Sequence, residues 1–91
     1  MAIQVEFFGI PRARTGVPRA VVLEQVTSAS LNQVLNEVAD RFPEFARECM
    51  RDGKLQDAYV ASIDGECFVH AGEQQVLTGQ SVLILSADAG G

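Results

Sequence analysis

One strongly amphipathic segment, between Leu31 and Phe42, constrains the fold of this 91-residue chain more than any other feature. Its apolar residues recur at the spacing of an α-helix and form one stripe: Leu31, Val34, Leu35, Val38, Ala39 and Phe42. Ser30 is the predicted N-cap, and Gln33 completes a capping box with it. Pro43 ends or kinks the helix, because proline disfavours a helical conformation in the residue before it. The sequence therefore predicts one main helix with a single apolar face.

Strands are predicted on both sides of this helix. Alternating or continuous apolar patterns mark residues 3–7, 20–24, 58–63, 66–69 and 82–85. Residues 9–18 are rich in glycine and proline and predict a long loop, so the first two strands form an N-terminal hairpin. Asp64-Gly65 predicts a two-residue hairpin turn, which requires positive φ at both positions.

The order of these elements predicts an α+β fold of the β-grasp type. An antiparallel hairpin, a helix across one face and a last strand beside the first give a mixed sheet of four to five strands with one main helix. The continuous apolar run Val82-Leu83-Ile84-Leu85 fits a central strand that is buried on both faces. We expect a single domain over residues 1–91, with a flexible tail over residues 86–91.

Residues 44–51 predict a second, short helix, with Phe45 and Cys49 turned inward and Asp52-Gly53 at its end. Cys49 and Cys67 are both interpreted as core cysteines, because they lie on apolar faces. They form no Cys-x-x-Cys pair, and with a single histidine they make a poor zinc site. We expect no metal and no stably bound cofactor.

Composition and charge argue against several classes of protein. Twelve acidic and seven basic side chains give a net charge of −5, whereas general nucleic-acid binding requires a positive surface. No apolar run approaches the roughly 20 residues that span a bilayer, and the first residues lack the pattern of a signal peptide. We therefore expect a cytoplasmic protein that binds neither nucleic acid nor membrane.

Gly90-Gly91 ends the sequence and is the candidate reactive group. Without Cβ atoms, this tail can pass through a narrow channel in a partner's active site. A free carboxylate is a poor electrophile, but a carboxylate activated by a nucleotide accepts sulfur or an amine. The alternative is a frayed end with no chemical role, because termini are often poorly ordered.

The whole chain resembles the ubiquitin-like sulfur-carrier family, which includes the small subunit of molybdopterin synthase and, more loosely, the thiamine-thiazole sulfur carrier. The resemblance rests on the opening strand through Phe8 with an arginine- and glycine-containing loop after it, the helix over 31–42, the turn Leu77-x-Gly79-Gln80-Ser81-Val82, and Gly90-Gly91. The sequence departs from the family at residues 84–89, where molybdopterin-synthase small subunits carry two aromatics and then two prolines. A molybdopterin-type pathway is the first expectation, and other sulfur acceptors stay open.

This resemblance implies a carrier protein rather than an enzyme. A partner adenylating enzyme would use ATP to convert the Gly91 carboxylate into an acyl-adenylate, and a persulfide sulfur would displace AMP to leave a thiocarboxylate. A sulfur-accepting synthase subunit is the second implied partner. Two alternatives remain open: a protein modifier conjugated to target lysines through Gly91, and a non-covalent β-grasp interaction module.

Partner docking is expected on the sheet face opposite the main helix. Alternate residues of the last strand point to opposite faces, and both sets are apolar. We predict that Phe8, Leu83 and Leu85, together with Asp88 in the tail, contact partners. The alternative is that the short helix or a loop covers this second face.

Three arginines lie close to the first hairpin loop: Arg12, Arg14 and Arg19. They are interpreted as a solvated surface, because charged side chains are mostly exposed. Recognition of an acidic partner or of a phosphate is the alternative.

Overall fold

The computed structural model of this chain describes residues 2–65, 67–69 and 74–86. Within these ranges it contains three helices and nine strands. In chain order they are β1 (Ile3–Phe7), α1 (Ile10–Thr15), β2 (Arg19–Val22), β3 (Ser28–Ser30), α2 (Leu31–Arg41), α3 (Pro43–Cys49), β4 (Met50–Arg51), β5 (Lys54–Leu55), β6 (Tyr59–Ile63), β7 (Cys67–Val69), β8 (Gln75–Leu77) and β9 (Ser81–Ser86). Within the described ranges, no helix has both the length and the apolar character needed to cross a membrane.

Five of the strands form one mixed sheet in the order β2-β1-β9-β6-β7. Strand β1 runs parallel to β9 and antiparallel to β2, and β6 runs antiparallel to both β9 and β7. The last strand is therefore central, with Ile84 paired to Phe7 on one side and to Ala61 on the other. This arrangement confirms the predicted α+β fold with a mixed sheet and a central last strand.

Helix α2 packs its apolar stripe against one face of this sheet. Leu31, Val34, Leu35 and Val38 are at most 2% exposed. They share one core cluster with side chains of β1 and β9, namely Ile3, Val5, Phe7, Val82 and Ile84. The predicted phase of the helix is therefore confirmed.

The predicted capping box holds the start of α2. The Gln33 N–H donates to Ser30 Oγ at 3.1 Å, and the Ser30 N–H donates to Gln33 Oε1 at 2.8 Å. These two bonds satisfy backbone donors that the helix itself leaves without partners. At the other end, α2 stops at Arg41, one residue before the predicted end, and Phe42 is the C-cap.

The prediction of a loop over residues 9–18 is wrong, because Ile10–Thr15 form helix α1. The proline and glycine residues that suggested a loop instead mark the two ends of this helix. Pro11 occupies the first turn, where its missing N–H costs no hydrogen bond. Gly16 ends the helix in the left-handed conformation, with φ of 76°, and donates its N–H to the Arg12 carbonyl. Pro11 is buried, and α1 packs against α3 and β9, which fixes it to the body of the domain.

Asp52-Gly53 does not end helix α3, contrary to the prediction. Helix α3 ends at Cys49, and Met50 is already extended, with φ of −112° and ψ of 152°. Asp52 and Gly53 instead form the turn between β4 and β5, with φ of 54° and 76°. Phe45 and Cys49 are fully buried, which confirms the predicted inward face of α3.

Besides β4 and β5, the sequence prediction missed two further short strands, β3 and β8. They pair antiparallel, and each contributes one buried residue to the pair, Ala29 and Val76. Strands of this length are too short to produce a periodic signal. The positive φ predicted at Asp64 and Gly65 is confirmed, with values of 55° and 72°, but the predicted two-residue turn is wrong, because Ile63 pairs with Cys67. That connection is therefore one residue longer than predicted.

Candidate docking surface at the end of the last strand

Strand β9 ends at Ser86, which pairs with Tyr59 of β6. Ser86, the first residue of the expected flexible tail over residues 86–91, therefore belongs to the sheet. Asp88, Gly90 and Gly91 lie outside the described residues, and the roles predicted for them stay predictions. The site that can be described is the surface around Ser86, where the tail begins.

The two faces of β9 are both apolar, as predicted, and they differ in exposure. Val82 and Ile84 are fully buried in the core that α2 covers. On the opposite face Leu83 is half-buried, whereas Leu85 is only 9% exposed. Leu83 therefore offers apolar surface to a partner, and Leu85 offers little.

Phe8 lies beside the end of β9 and is 53% exposed. Its backbone is fixed, because its N–H donates to the Ile84 carbonyl at 3.0 Å. The exposed side chain therefore extends from a hydrogen-bonded backbone position, and its contact with a partner stays a prediction. Large aromatic side chains contribute strongly to interfaces, since each buries a large apolar area on binding.

Gly9 separates Phe8 from a second exposed apolar residue, Ile10. The φ of 64° and ψ of −128° at Gly9 belong to a region that strains any residue with a Cβ. A Cβ built there would lie 3.9 Å from Ser86 Oγ, so this segment runs directly beside the end of β9. Ile10 is 44% exposed, and it was missed because residues 9–18 were interpreted as a loop. We call Phe8 and Ile10 the tail-exit surface, and Leu83 lies farther back along β9, opposite Glu6 of β1.

The segment with Phe8 and Ile10 is basic in an acidic protein. Residues 1–23 contain three arginines and one glutamate, while the whole chain has a net charge of −5. Arg14 pairs with Glu48 of α3 at 3.4 Å, an ion pair that links the two helices. Arg12 and Arg19 are exposed, and within the described residues neither makes an ion pair. These two cations are therefore available to an acidic partner.

A shallow depression of about 350 Å³ lies at the other end of the same strand, lined by Glu6, Asp64, Gly65, Ser81 and Leu83. The carboxylate of Asp64 is engaged there by neighbouring donors. The Ser81 N–H donates to Oδ1 at 2.8 Å, and Gln80 Nε2 donates to Oδ2 at 3.2 Å. Asp64 therefore ties its hairpin turn to the start of β9.

Comparison with known proteins finds similar folds among the solved structures. No family model matches the chain. No curated protein sequence matches it either. Among solved structures, the crystal structure of SAMP1 from Haloferax volcanii is similar over 100% of both chains, with a TM-score of 0.83 and 17% sequence identity. The fold is a ubiquitin-like β-grasp.

Two further neighbours share this β-grasp. A putative molybdopterin converting factor, subunit 1, from Pyrococcus furiosus matches 94% of this chain and 97% of its own, with a TM-score of 0.74 and 21% identity. A chain of the Amycolatopsis orientalis BexX/CysO complex matches 99% of this chain and 100% of its own, with a TM-score of 0.72 and 22% identity. The neighbours are ubiquitin-like proteins of the kind that the sequence resembles. At these identities the likeness establishes the fold alone.

Cys49 is a core residue of the β-grasp, as predicted. Burial raises the pKa of its thiol to about 11, so the thiol is protonated at neutral pH, whereas the nucleophile in cysteine chemistry is the thiolate. Burial, followed by a hydrogen bond to Glu48, raises the pKa of Tyr59 to about 12, and the Tyr59 hydroxyl donates to Glu48 Oε2 at 3.1 Å. The Cys67 side chain and His70 lie outside the described part of the chain. Among the described residues, no three His, Cys, Asp or Glu side chains form a group that could hold a metal ion.

Proposed function

We propose that this protein is a sulfur carrier whose Gly91 carboxylate is adenylated by a partner enzyme and converted into a thiocarboxylate. The observation that carries the proposal is the position of Ser86, where the central strand ends beside Gly9, between the exposed residues Phe8 and Ile10. Residues 87–91 follow, and at about 3.3 Å per residue they reach roughly 17 Å. That reach suits a group delivered into a partner's buried site while the folded surface stays docked outside.

In this proposal Gly91 supplies the reacting group and the partner supplies the catalysis. The carboxylate attacks the α-phosphate of ATP, pyrophosphate leaves, and an acyl-adenylate forms. A persulfide sulfur then attacks the acyl carbon and AMP leaves, after which a thiol reductant cleaves the sulfur–sulfur bond and the thiocarboxylate remains on Gly91. Gly90 and Gly91 carry no Cβ, so the tail fits a narrow channel. ATP binds to the activating partner, and no cofactor stays on this chain.

The docking energy must come from the folded surface. Ordering a free tail costs roughly 1–2 kcal/mol of backbone entropy per residue, which the partner's contacts have to offset. The tail-exit surface supplies apolar area, and Arg12 and Arg19 add positive charge near the same hairpin. We propose that the activating partner presents an apolar patch bordered by carboxylates. Complementary charge of this kind favours rapid and specific association.

The first proposed sulfur acceptor is a synthase subunit of the molybdopterin type. The opening strand, the turn into β9 and Gly90-Gly91 all resemble molybdopterin-synthase small subunits. The fold neighbour from Pyrococcus furiosus is named a putative molybdopterin converting factor, subunit 1, which supports this choice. Residues 84–89 depart from the molybdopterin pattern, and other sulfur acceptors therefore stay open.

A protein-modifier function is the second candidate. The SAMP1 neighbour is named a small archaeal modifier protein. The same acyl-adenylate reacts with a lysine ε-amine to give an isopeptide bond when the partner presents an amine in place of sulfur. The two functions therefore share Gly91 and the docking surface, and they differ in the nucleophile that the partner brings.

The intact mass of the protein purified from its native host tests the proposal. A thiocarboxylate raises the mass by the difference between sulfur and oxygen, and a conjugate raises it by the mass of the target protein. A chain that lacks Gly90 and Gly91 is the control, because two residues without side chains contribute no apolar burial and their loss should leave the unfolding midpoint unchanged. Sulfur on the shortened chain, or only the free carboxylate on the full chain while the pathway is active, would contradict the proposal.

A further inference from the structure

Strand β2 forms one edge of the five-stranded sheet, and its outward backbone groups can be assigned. The Phe7 N–H donates to the Pro18 carbonyl at 2.9 Å, just before β2 begins. Since every second residue of an antiparallel strand bonds to the same neighbour, Ala20 is the next residue that bonds to β1. Arg19 and Val21 lie between these positions in the ladder. Their N–H and C=O groups therefore point away from β1, toward the outer edge of the sheet.

Side chains already occupy part of this outer edge. Arg41, in the last turn of α2, donates from Nη1 to the Val21 carbonyl at 2.6 Å. Just before β2, Thr15 Oγ1 donates to the Val17 carbonyl at 3.0 Å and accepts the Val17 N–H at 3.4 Å. Within the described residues, no side chain bonds to the N–H or C=O of Arg19. Along the outer edge, the Arg19 groups and the Val21 N–H are therefore open, whereas side chains occupy the Val21 carbonyl and both backbone groups of Val17.

We propose that the outer edge of β2 is competent to pair with β2 of a second copy of this chain, and that Arg41 keeps it closed. In a two-fold antiparallel pair centred on Ala20, Arg19 of one copy lies opposite Val21 of the other. Both residues direct their backbone groups outward, so this register satisfies all of them. In each copy the Val21 carbonyl must accept the Arg19 N–H of the other copy, and Arg41 of the same copy already donates to that carbonyl.

The side chains of the edge suit a second copy. Val21 is β-branched and 42% exposed, and in this register the aliphatic stem of Arg19 from the other copy would cover it. The guanidinium of Arg41 is held in place by Glu37, whose Oε1 lies 3.6 Å from Arg41 Nε. Pairing in the wild type would displace this guanidinium and bring two of them toward the two-fold axis. Arg41 therefore opposes pairing in two ways: its hydrogen bond occupies the Val21 carbonyl, and its charge repels the Arg41 of the second copy.

The test is the association state of Arg41→Met, which removes the donors and the charge and keeps the apolar stem. The Arg41 side chain is 44% exposed, so the fold should survive, and circular dichroism checks this. Arg41→Gln is a second variant, too short to reach the Val21 carbonyl and more soluble. The matched control is Arg47→Met, which also removes an exposed arginine, one paired with Glu44 at 2.8 Å within α3.

Sedimentation velocity and residue-resolved amide exchange are measured over a range of protein concentrations. We expect the wild type and Arg47→Met to stay monomeric, with rapid exchange at the Arg19 and Val21 amides. The mass of Arg41→Met or Arg41→Gln should rise toward twice that of the monomer, and those two amides should become protected as it does. A folded, monomeric Arg41 variant at every concentration would overturn the proposal. So would a dimer whose two amides exchange as in the wild type, or equal association of Arg47→Met. None of these results depends on sulfur transfer by Gly91.

Discussion

Gly9→Ala should destabilise the protein through the backbone rather than through crowding. The φ of 64° and ψ of −128° at Gly9 place it where a residue with a Cβ is strained. The new Cβ would meet only Ser86 Oγ, at 3.9 Å, which is an ordinary van der Waals distance. The cost is therefore that of the conformation, about 1–3 kcal/mol. Relaxing the strain would move Phe8 and Ile10 away from the end of β9.

Gly16→Asn is the matched control. Gly16 has φ of 76° and ψ of 4°, which is the left-handed region that asparagine tolerates. Nothing lies within 4 Å of a Cβ at that position. Urea unfolding of the wild type and both variants gives free energies of unfolding from the midpoints when the slopes agree. We expect Gly16→Asn to stay within about 0.5 kcal/mol of the wild type. A Gly9→Ala midpoint equal to that of the wild type would refute the described geometry of the tail-exit surface.

Leu35 is 1% exposed, so Leu35→Ala should lower the free energy of unfolding by about 2–5 kcal/mol. Asn36→Ala should cost about 1 kcal/mol, because the Asn36 amide donates to two backbone carbonyls, and equal urea midpoints for the pair would reject the helix phase. Phe8→Ala should weaken binding to the adenylating partner in a titration while the monomer stays folded, whereas a large loss of stability without any partner would make Phe8 a core residue. The fold raises the pKa of Cys49 from 9.0 to about 11 and that of Tyr59 from 10.0 to about 12, so it favours both protonated forms. The contribution of these two groups to the free energy of unfolding is complete below pH 9 and is lost as the pH rises from 9 to 12. A constant free energy of unfolding over this range would contradict the raised pKa values.

The parts of the fold predicted correctly are those whose signal is local and repeated. Helix α2 carries a full apolar stripe and a capping box, and both follow from residues close in sequence. The central place of β9 was predicted from its continuous apolar run, and three of its four apolar residues, Val82, Ile84 and Leu85, are buried. Helix α1 was missed because a proline in the first turn and a glycine at the end also describe a loop. Asp52-Gly53 was misplaced because the same dipeptide closes a helix or turns a hairpin.

The exposure of the candidate docking residues was predicted only in part, because part of it depends on tertiary packing. Alternation along β1 and β9 placed Phe8 and Leu83 away from the main helix, and both carry exposed apolar area. Alternation cannot show that Leu85 is nearly covered, since that depends on tertiary packing. Ile10 and the closing of the β2 edge by Arg41 depend on contacts between segments far apart in sequence. Such contacts leave no periodic signal.

ATP–pyrophosphate exchange catalysed by the host's adenylating enzyme tests most directly whether Gly91 is the reactive group. The carboxylate must reach the α-phosphate in line, and a misplacement of about 1 Å can cost on the order of 100-fold in rate. Gly91→Ala adds a methyl group next to the reacting carbon, whereas Asp88→Ala changes the same tail farther from the chemistry. We predict a large loss of exchange with Gly91→Ala, a much smaller loss with Asp88→Ala, and the same unfolding midpoint for both. Wild-type exchange by Gly91→Ala, or by a chain extended beyond Gly91, would contradict the carrier function and leave a non-covalent β-grasp interaction module.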